Sequence, residues 1–450
     1  MRSRWRCWRR SESDVFRVAR WAIPVPKRGA SMNATSPHAF NFALGKPANQ
    51  SSVSQWSSSQ ITEVDASVAT NGDTTSSRFF HTDNETSPWW QVDLGEDIVI
   101  EKLRLFNRRE YAHRFRKFSI LISPTGAPNS WLSIFSKNDN ATFGGDDDHP
   151  YEAKFGGKLL ARFVRIRKDD PGYLHFRECE VLGYKPDPEE SALLRDQMAQ
   201  TKQRLLAEKA AATQRLIEGR TGHITYIDSR AVFVDTNKYS TSLVKALDGG
   251  GYEDAERKIV KEVLLSKDRV LEIGTAVGMV SMTAAGVVCP SSVLTYDANP
   301  AIVADARRNF DANGMGEISA NVGVMRNRSR WLNDETEIDF FVSRDFWASR
   351  LFVKPGDSDI ASVVRVPLVC LEDKIADHQA NVIICDIEGG EADLLNGADL
   401  SSIRLILIEI HYWAVGREKI DGMINYLISQ GFSINFYYTS RNIVLLDRNL

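Results

Sequence analysis

The sequence predicts a multidomain chain in which an all-β sandwich is joined by a helical connector to an α/β unit with a mostly parallel sheet. Three observations carry that prediction. Between Phe40 and Tyr184 short alternating apolar segments are broken by Gly, Pro, Asn and Ser, with no sustained helical period. Asp187-Pro-Glu-Glu then opens an Ala-, Leu-, Gln- and charge-rich run with no further Gly or Pro until Gly219. From residue 221 onward apolar strands alternate with helical patterns, and parallel neighbours need crossover helices that cover both faces of a sheet.

In chain order, residues 1–39 form a basic leader that is expected to be disordered. Residues 1–31 hold eight Arg and one Lys against Glu12 and Asp14, so they carry +7 and the rest of the 450-residue chain carries −10 of a net −3. The leader lacks the continuous apolar core of a secretory signal, its Arg-rich character is also that of a transit peptide, and Met32 is an alternative initiator. The sandwich is expected over 40–185, with strands at Ile98–Phe106, Lys117–Ser123 and Ala161–Arg167. A helical linker is expected over 186–220. Its weak stripe of Leu194, Met198, Leu205, Ala212 and Leu216 suits either docking on a domain of its own chain or a short coiled coil in a homo-oligomer.

In the unit over 221–450, helices are expected at Tyr252–Leu265, Ala301–Asn313 and Arg417–Gln430. Ser433–Tyr438 and Asn442–Leu446 are expected to close the sheet as an antiparallel edge hairpin on a short turn. The mildly acidic body argues against nucleic acid as the main partner. No apolar run is long enough to span a bilayer. Five cysteines without a C-x-x-C pair suit reduced thiols and a cytoplasmic location.

The chemistry starts at Val270-Leu-Glu-Ile-Gly-Thr-Ala-Val-Gly-Met-Val-Ser281, an apolar run meeting Glu272 and then two glycines, Gly274 and Gly278. A strand that ends at Gly274 and turns into a helix at Gly278 lets a nucleotide-like ligand lie on bare backbone near a helix N-terminus. Neither a third glycine nor Gly-Lys-Ser/Thr follows, so this is not the dinucleotide fingerprint or the phosphate loop. Asp297 ends the next strand at about the interval that places an acid on a ribose diol. Further on, Asn381-Val-Ile-Ile-Cys-Asp-Ile-Glu-Gly-Gly-Glu391 puts Asp386, Glu388 and Glu391 at another strand end. Leu405-Ile-Leu-Ile-Glu-Ile-His411 adds Glu409 and His411, two apart and so on one face. Carboxylates plus a His at adjacent strand ends form an acid/base constellation, a Mg²⁺ or Mn²⁺ site, or a structural ion pair with helix capping.

These residues, with Gly251-Tyr-Glu253 upstream, resemble the FkbM family of class I S-adenosylmethionine-dependent methyltransferases over Thr221 to Leu450. The resemblance implies a Rossmann-like domain that transfers a methyl group to a hydroxyl, often on a sugar. It implies Glu272, Gly274, Gly278 and Asp297 as cofactor contacts. Asp386 is expected near the acceptor and His411 as base or supporting partner, with Glu409, Glu388 and Glu253 as further candidates. The aromatic-rich segment 326–365, with Trp331, Phe340, Phe341, Phe346 and Trp347, is expected to face the acceptor.

In the sandwich, Asn41-Phe-Ala-Leu-Gly-Lys-Pro-Ala48, Pro88-Trp-Trp-Gln-Val-Asp-Leu-Gly95 and Arg177-Glu-Cys-Glu-Val-Leu-Gly183 resemble the discoidin-like jelly roll of the coagulation-factor C-type domains, within it the fucose-binding lectins. Those lectins read sugar with one His and two Arg. The matching residues are His81, Arg108 and Arg114, taken as cationic donors to sugar oxygens. Glu110 stands for the family's Asp and the loop is one residue shorter, which puts a preference for fucose in doubt. The family's structural Ca²⁺ implies Asn71, Asp73 and Glu180, with backbone oxygens of Val68, Asp73 and Cys179. The expected function is methylation of a sugar hydroxyl on a glycan or glycoconjugate held by the lectin-like domain. The alternative is a carbohydrate-binding or scaffolding protein whose methyltransferase-like domain does not turn over.

Overall fold

The structure is a computed structural model that describes residues 40–75, 77–145, 148–331, 335–343 and 360–448. The leader expected over 1–39, and Phe346 and Trp347, lie outside the described residues. The chain divides into two compact units between Arg204 and Leu205.

The first unit is an antiparallel sheet of seven strands: β1 (Phe40–Asn41), β2 (Ala48–Gln50), β3 (Trp89–Phe106), β4 (Phe118–Ser123), β5 (Leu132–Lys137), β6 (Tyr151–Lys168) and β7 (Glu178–Tyr184). Its order is β1-β7-β3-β6-β4-β5, with β2 also on β3. The two 18-residue strands β3 and β6 carry the expected shorter ones, and their register shifts between Asp93 and Ile98 and again between Ile100 and Lys102. Such breaks let a long strand bend around a core. That core holds Phe80, Trp90, Phe115, Phe118 and Phe176, all fully buried. A short helix, α1 (Thr62–Ala66), supplies Asp65, whose buried carboxylate accepts from the backbone of Ser58 and His81.

A 30-residue helix, α2 (Pro188–Ile217), follows. Early on, Leu194 is buried against Val99 and Leu160 of the first unit, and near its end Leu216 is buried against Phe233 and Ala312 of the second. Leu206 between them is exposed. The apolar stripe is thus used at its two ends, each on its own unit.

The second unit opens with a hairpin, β8 (Gly222–Ile227) and β9 (Arg230–Asp235), then α3 (Thr241–Asp248) and α4 (Asp254–Val263). The main sheet runs β10 (Val270–Ile273), α5 (Met279–Val287), β11 (Val293–Asp297), α6 (Pro300–Ala312) and β12 (Ser319–Val322). A small sheet of β13 (Val324–Arg326), β14 (Glu337–Ser343) and β15 (Ile360–Cys370) interrupts it before α7 (Leu371–His378). The chain then returns through β16 (Val382–Cys385), α8 (Glu391–Leu395), β17 (Leu405–Glu409), α9 (Tyr412–Val415), α10 (Arg417–Ser429), β18 (Ser433–Ile434) and β19 (Ile443–Asp447). The strand order is β12-β11-β10-β16-β17-β19-β18, parallel through β17 and antiparallel at the closing edge.

One expected element is corrected here. The last strands do form an edge hairpin, but β18 is two residues long and the connection is not a short turn. Asn435 turns the chain away by binding Asp447 with its side chain, and Tyr438 packs partly buried on the core. Residues 436–438 are therefore loop, and this loop carries Asn442 to Glu409. Among the described residues no helix is long and apolar enough to cross a membrane.

Candidate functional site

Strand register dictates the site in the second unit. Ile273 is level with Tyr296 and Cys385, and Cys385 with Ile408. Gly274, Asp297, Asp386 and Glu409 are therefore the next residues on four adjacent strands, at the carboxyl edge where open α/β sheets take ligands. The side chain before Gly274 faces the core under α7 and α10, so Glu272 points to the opposite face with Ile384 and Leu407.

Gly274 (φ 100°) cannot be anything but glycine, because a Cβ there would lie 1.8 Å from the Asp386 carbonyl oxygen. Gly278 (φ 86°) opens α5, and its Cβ would lie 2.4 Å from the Phe310 ring. Both glycines are thus demanded by the neighbouring chain. Glu272 is buried and accepts a hydrogen bond from Ser281; burial outweighs that bond and the one from Thr295, and lifts its carboxyl to about 7. Asp297 accepts from the backbone of Ala276 at 3.1 Å and of Asn299 at 2.8 Å, tying the glycine loop to the start of α6. Burial raises its pKa against those bonds.

Five carboxylates, of Glu253, Glu256, Glu272, Asp386 and Glu409, line one cavity. Glu253 sits in the left-handed region (φ 49°) just before α4, and its Oε2 is buried without a hydrogen-bond partner. Burial, then the charges of Glu272 and Glu256, push its carboxyl well above the usual range. Asp386 is pushed the same way by burial, then by Glu409 and Glu388, and its Oδ1 is also buried without a partner.

His411 is 4 % exposed. Its Nδ1 lies 2.7 Å from Glu391 Oε1, while Nε2 faces Glu388 at 3.3 Å, Asp386 at 3.8 Å and Glu409 at 4.0 Å. Burial disfavours the imidazolium, but the Glu391 hydrogen bond and the charges of Glu391, Glu388 and Glu409 outweigh it, so the pKa rises above its ordinary value. Glu391 is fully buried and also accepts from Ile387 and Gly389, which fixes the residue that fixes the imidazole. Glu388 (φ 54°) is raised to about 7 by burial, with His411 opposing. The structure thus brings Asp386, Glu388, Glu409 and His411 together. The orienting part of Glu391 went unnoticed in the sequence, although it stands in the same motif. Trp413 was missed too: it is 77 % exposed, edge-on to the His411 ring at 5.8 Å between centroids.

In the first unit a second cluster forms. His81 is 3 % exposed, and its Nδ1 lies 2.7 Å from the Thr82 carbonyl oxygen and 3.0 Å from Ser54 Oγ. A carbonyl only accepts, so Nδ1 carries the proton and Nε2 is left as an acceptor. Burial lowers the His81 pKa, the Thr82 bond opposes, and Arg108 and Arg114 lower it further. Arg108 stacks on Phe79 at 4.0 Å with its Nε buried and unpartnered, and Arg114 stacks on Tyr111 at 4.3 Å. Burial and then the two guanidinium charges favour the neutral ring, in which His81 offers Nε2 as an acceptor. Around it stand Trp56, Tyr173 and His175, with ring centroids at 5.7, 5.1 and 5.4 Å, none of which the sequence reading used. His175 is fully buried with both ring nitrogens unpartnered, and burial, then Arg108, keeps it neutral.

Of the cation set expected in this unit, Asn71, Asp73 and Glu180 are each engaged within the protein. Glu178 accepts from the Gly72 backbone at 3.1 Å; it is fully buried, its Oε2 is unpartnered, and burial raises its carboxyl to about 7. Glu180, on the same face two residues on, is paired with Arg104 at 3.4 Å. Asn71 spends its side-chain oxygen on the Asp73 backbone, and Asp73 accepts from Thr75. Glu178 is thus hydrogen-bonded at the turn of Asn71 and Asp73, and Glu180 is ion-paired with Arg104. The sequence Glu-Cys-Glu allowed either, and only the pairing of Glu178 with Phe106 and of Glu180 with Arg104 separates them.

Comparison with known proteins agrees with both units. Residues 47–178 match the model of the F5/8 type C domain, and residues 272–434 that of the methyltransferase FkbM domain. No curated protein sequence matches the chain. Similar solved structures include the lectin domain of lectinolysin complexed with Lewis B antigen, 25 % identical, covering 32 % of this chain and 98 % of that one with a TM-score of 0.26. A fucose-binding module from Streptococcus pneumoniae is 25 % identical over 32 % of this chain and 99 % of that one, at a TM-score of 0.26. An F-lectin (fucolectin) from striped bass (Morone saxatilis) serum is 25 % identical over 34 % of this chain and 50 % of that one, at 0.28. The chain therefore carries a discoidin-like F5/8 type C domain at 47–178 and a methyltransferase domain of the FkbM type at 272–434.

Proposed function

We propose that this methyltransferase uses S-adenosylmethionine to methylate a sugar hydroxyl of a glycan or glycoconjugate, with the lectin-like unit holding the carbohydrate. The observation that carries the reading is the alignment of Gly274, Asp297, Asp386 and Glu409 on four adjacent strand ends beside His411. The cofactor fits the residues present. A cavity lined by five carboxylates, with a Glu253 oxygen buried and unpartnered, favours a ligand with cationic groups over an anionic one such as a dinucleotide pyrophosphate. In this reading Asp297 would take the ribose diol, and Glu272 and Glu253 would meet ammonium or sulfonium charge.

When bound, the cofactor supplies a methyl group on a cationic sulfur, so the enzyme has to align the acceptor and receive its proton. Asp386, whose Oδ1 is buried and unpartnered, is the carboxylate that activates the acceptor hydroxyl, directly or through a bound cation. His411, held through Nδ1 by Glu391, faces that carboxylate with Nε2. The lectin-like unit needs no fixed placement for this role, since tethering alone raises the local acceptor concentration. A structural Ca²⁺ beside Glu178, whose second oxygen lacks a partner, belongs to the same reading of the jelly roll. The free cysteines Cys179, Cys289, Cys370 and Cys385 support a cytoplasmic location.

Thermal unfolding of the full chain with S-adenosylhomocysteine tests the cofactor assignment. Saturating ligand should raise the unfolding temperature of the second transition. A shift with NAD and none with either S-adenosyl ligand would refute it.

A further inference from the structure

We propose that Asp386, Glu409 and His411 form a divalent-cation site, with Mn²⁺ the best-matched ion. One ligand atom from each lies within 4.8 Å of the other two. Two ligands about 2.1 Å from a shared ion stand about 3.0 Å apart at right angles and about 4.2 Å apart when opposite. The separations of His411 Nε2 from Asp386 Oδ1, 3.8 Å, and from Glu409 Oε1, 4.0 Å, fall inside that range. Little side-chain movement is needed to close the set on an ion.

Two further observations point to a ligand rather than to a chance gathering of acids. His411 is 4 % exposed, its Nδ1 is committed to Glu391, and among the described residues Nε2 makes no hydrogen bond. A carboxylate on the far nitrogen of a buried His is the arrangement that fixes a metal-ligating imidazole. Asp386 Oδ1 is buried, aimed at the same space and unpartnered. Glu409 is held from outside by Asn442, as ligating carboxylates commonly are. Glu388 Oε2, 3.3 Å from Nε2, is placed to become a fourth ligand. Several carboxylates against one imidazole leave buried negative charge, and a divalent ion removes it. One nitrogen with two or three carboxylate oxygens suits Mn²⁺ better than the softer, thiolate-seeking ions.

The site stands on these residues alone; only its consequence, a cation that orients the acceptor hydroxyl and lowers its pKa, rests on the methyl-transfer reading. Chelator-treated full-length protein titrated with MnCl₂ and followed by Mn²⁺ electron paramagnetic resonance tests it. Wild type should bind one Mn²⁺ that Glu178→Gln retains. Glu409→Gln and His411→Gln, checked for native melting, should weaken that site by ~10-fold or more, and Glu391→Gln, a positioning change, should weaken it by ~10-fold. No Mn²⁺ bound by wild type, or the same affinity in natively folded Glu409→Gln, overturns the site. Methyl transfer that survives chelation beside absent Mn²⁺ binding sinks the site and leaves the function standing. Mn²⁺ binding lost in the variants, in a protein that transfers no methyl group, supports the site and sinks the function.

Discussion

His411 and His81 are buried to nearly the same degree, 4 % and 3 % exposed, and yet the protein drives them in opposite directions. Burial lowers both. At His411 the carboxylates of Glu391, Glu388 and Glu409 overcome it and favour the imidazolium; at His81 the guanidinium groups of Arg108 and Arg114 add to it and favour the neutral ring. The state of a buried histidine is thus set by the sign of its neighbours rather than by its depth. The α/β site gathers carboxylates around its histidine, and the jelly-roll site gathers guanidinium groups around its own.

The sharpest way to break this contrast is at Asp386. Asp386→Asn keeps the shape and removes the charge, so turnover should fall by at least ~100-fold while stabilisation by S-adenosylhomocysteine persists. Near-wild-type turnover would move acceptor activation to other residues. At the next level, Glu391→Gln keeps an acceptor for Ile387 and Gly389 but removes the charge that most raises the His411 pKa. Imidazole NMR should show the His411 pKa falling, with turnover down by ~10-fold; an unchanged titration would mean that Glu391 does not set the state of His411. In the cationic cluster, Arg108→Ala and Arg114→Ala should each weaken glycan binding by ~10-fold or more, the loss of a charge-assisted hydrogen bond of roughly 1.5–3 kcal/mol. Unchanged glycan-array profiles would assign that cluster to packing.

The pH dependences should separate the two sites. Glu388 is raised to about 7 and so becomes increasingly neutral as pH falls through 7, and methyl transfer should fall with it. Because His81 is held below its ordinary value and stays neutral, glycan binding should be flat from pH 8 to 6.5. Parallel pH profiles for the two activities would contradict this assignment. The smallest effect concerns Glu178, also raised to about 7. A carboxyl raised on folding favours the native state at low pH and loses that contribution as pH rises from about 4.5 through 7. In chelated buffer, Glu178→Gln should flatten the pH dependence of the jelly-roll melting temperature by a few degrees. An identical slope in wild type and variant would place the charge elsewhere.

Periodicity made the architecture legible: alternating segments became β3, β4 and β6, and helical stretches became α4, α6 and α10. The strand-end residues could be read because parallel register turns sequence position into level, so acids that end neighbouring strands must meet. Contacts that depend on facing elements were not readable. Glu178 and Glu180 share a face, and only their partners on β3 separate them. Nothing in the order of residues shows that Glu391 reaches His411 across 20 positions, or that Trp56 and Tyr173 stand around His81. The protonation balance of His81 depends on that assembled neighbourhood, which residue order does not show.

The most direct test of methyl transfer is incubation of the full chain with methyl-labelled S-adenosylmethionine and separated glycan fractions. The account predicts label in a carbohydrate fraction, stable to mild base as a methyl ether is, and absent with Asp386→Asn. Label found only in base-labile methyl esters, or no label in any fraction from a protein that S-adenosylhomocysteine stabilises, would contradict it and leave a carbohydrate-binding protein with a silent methyltransferase domain.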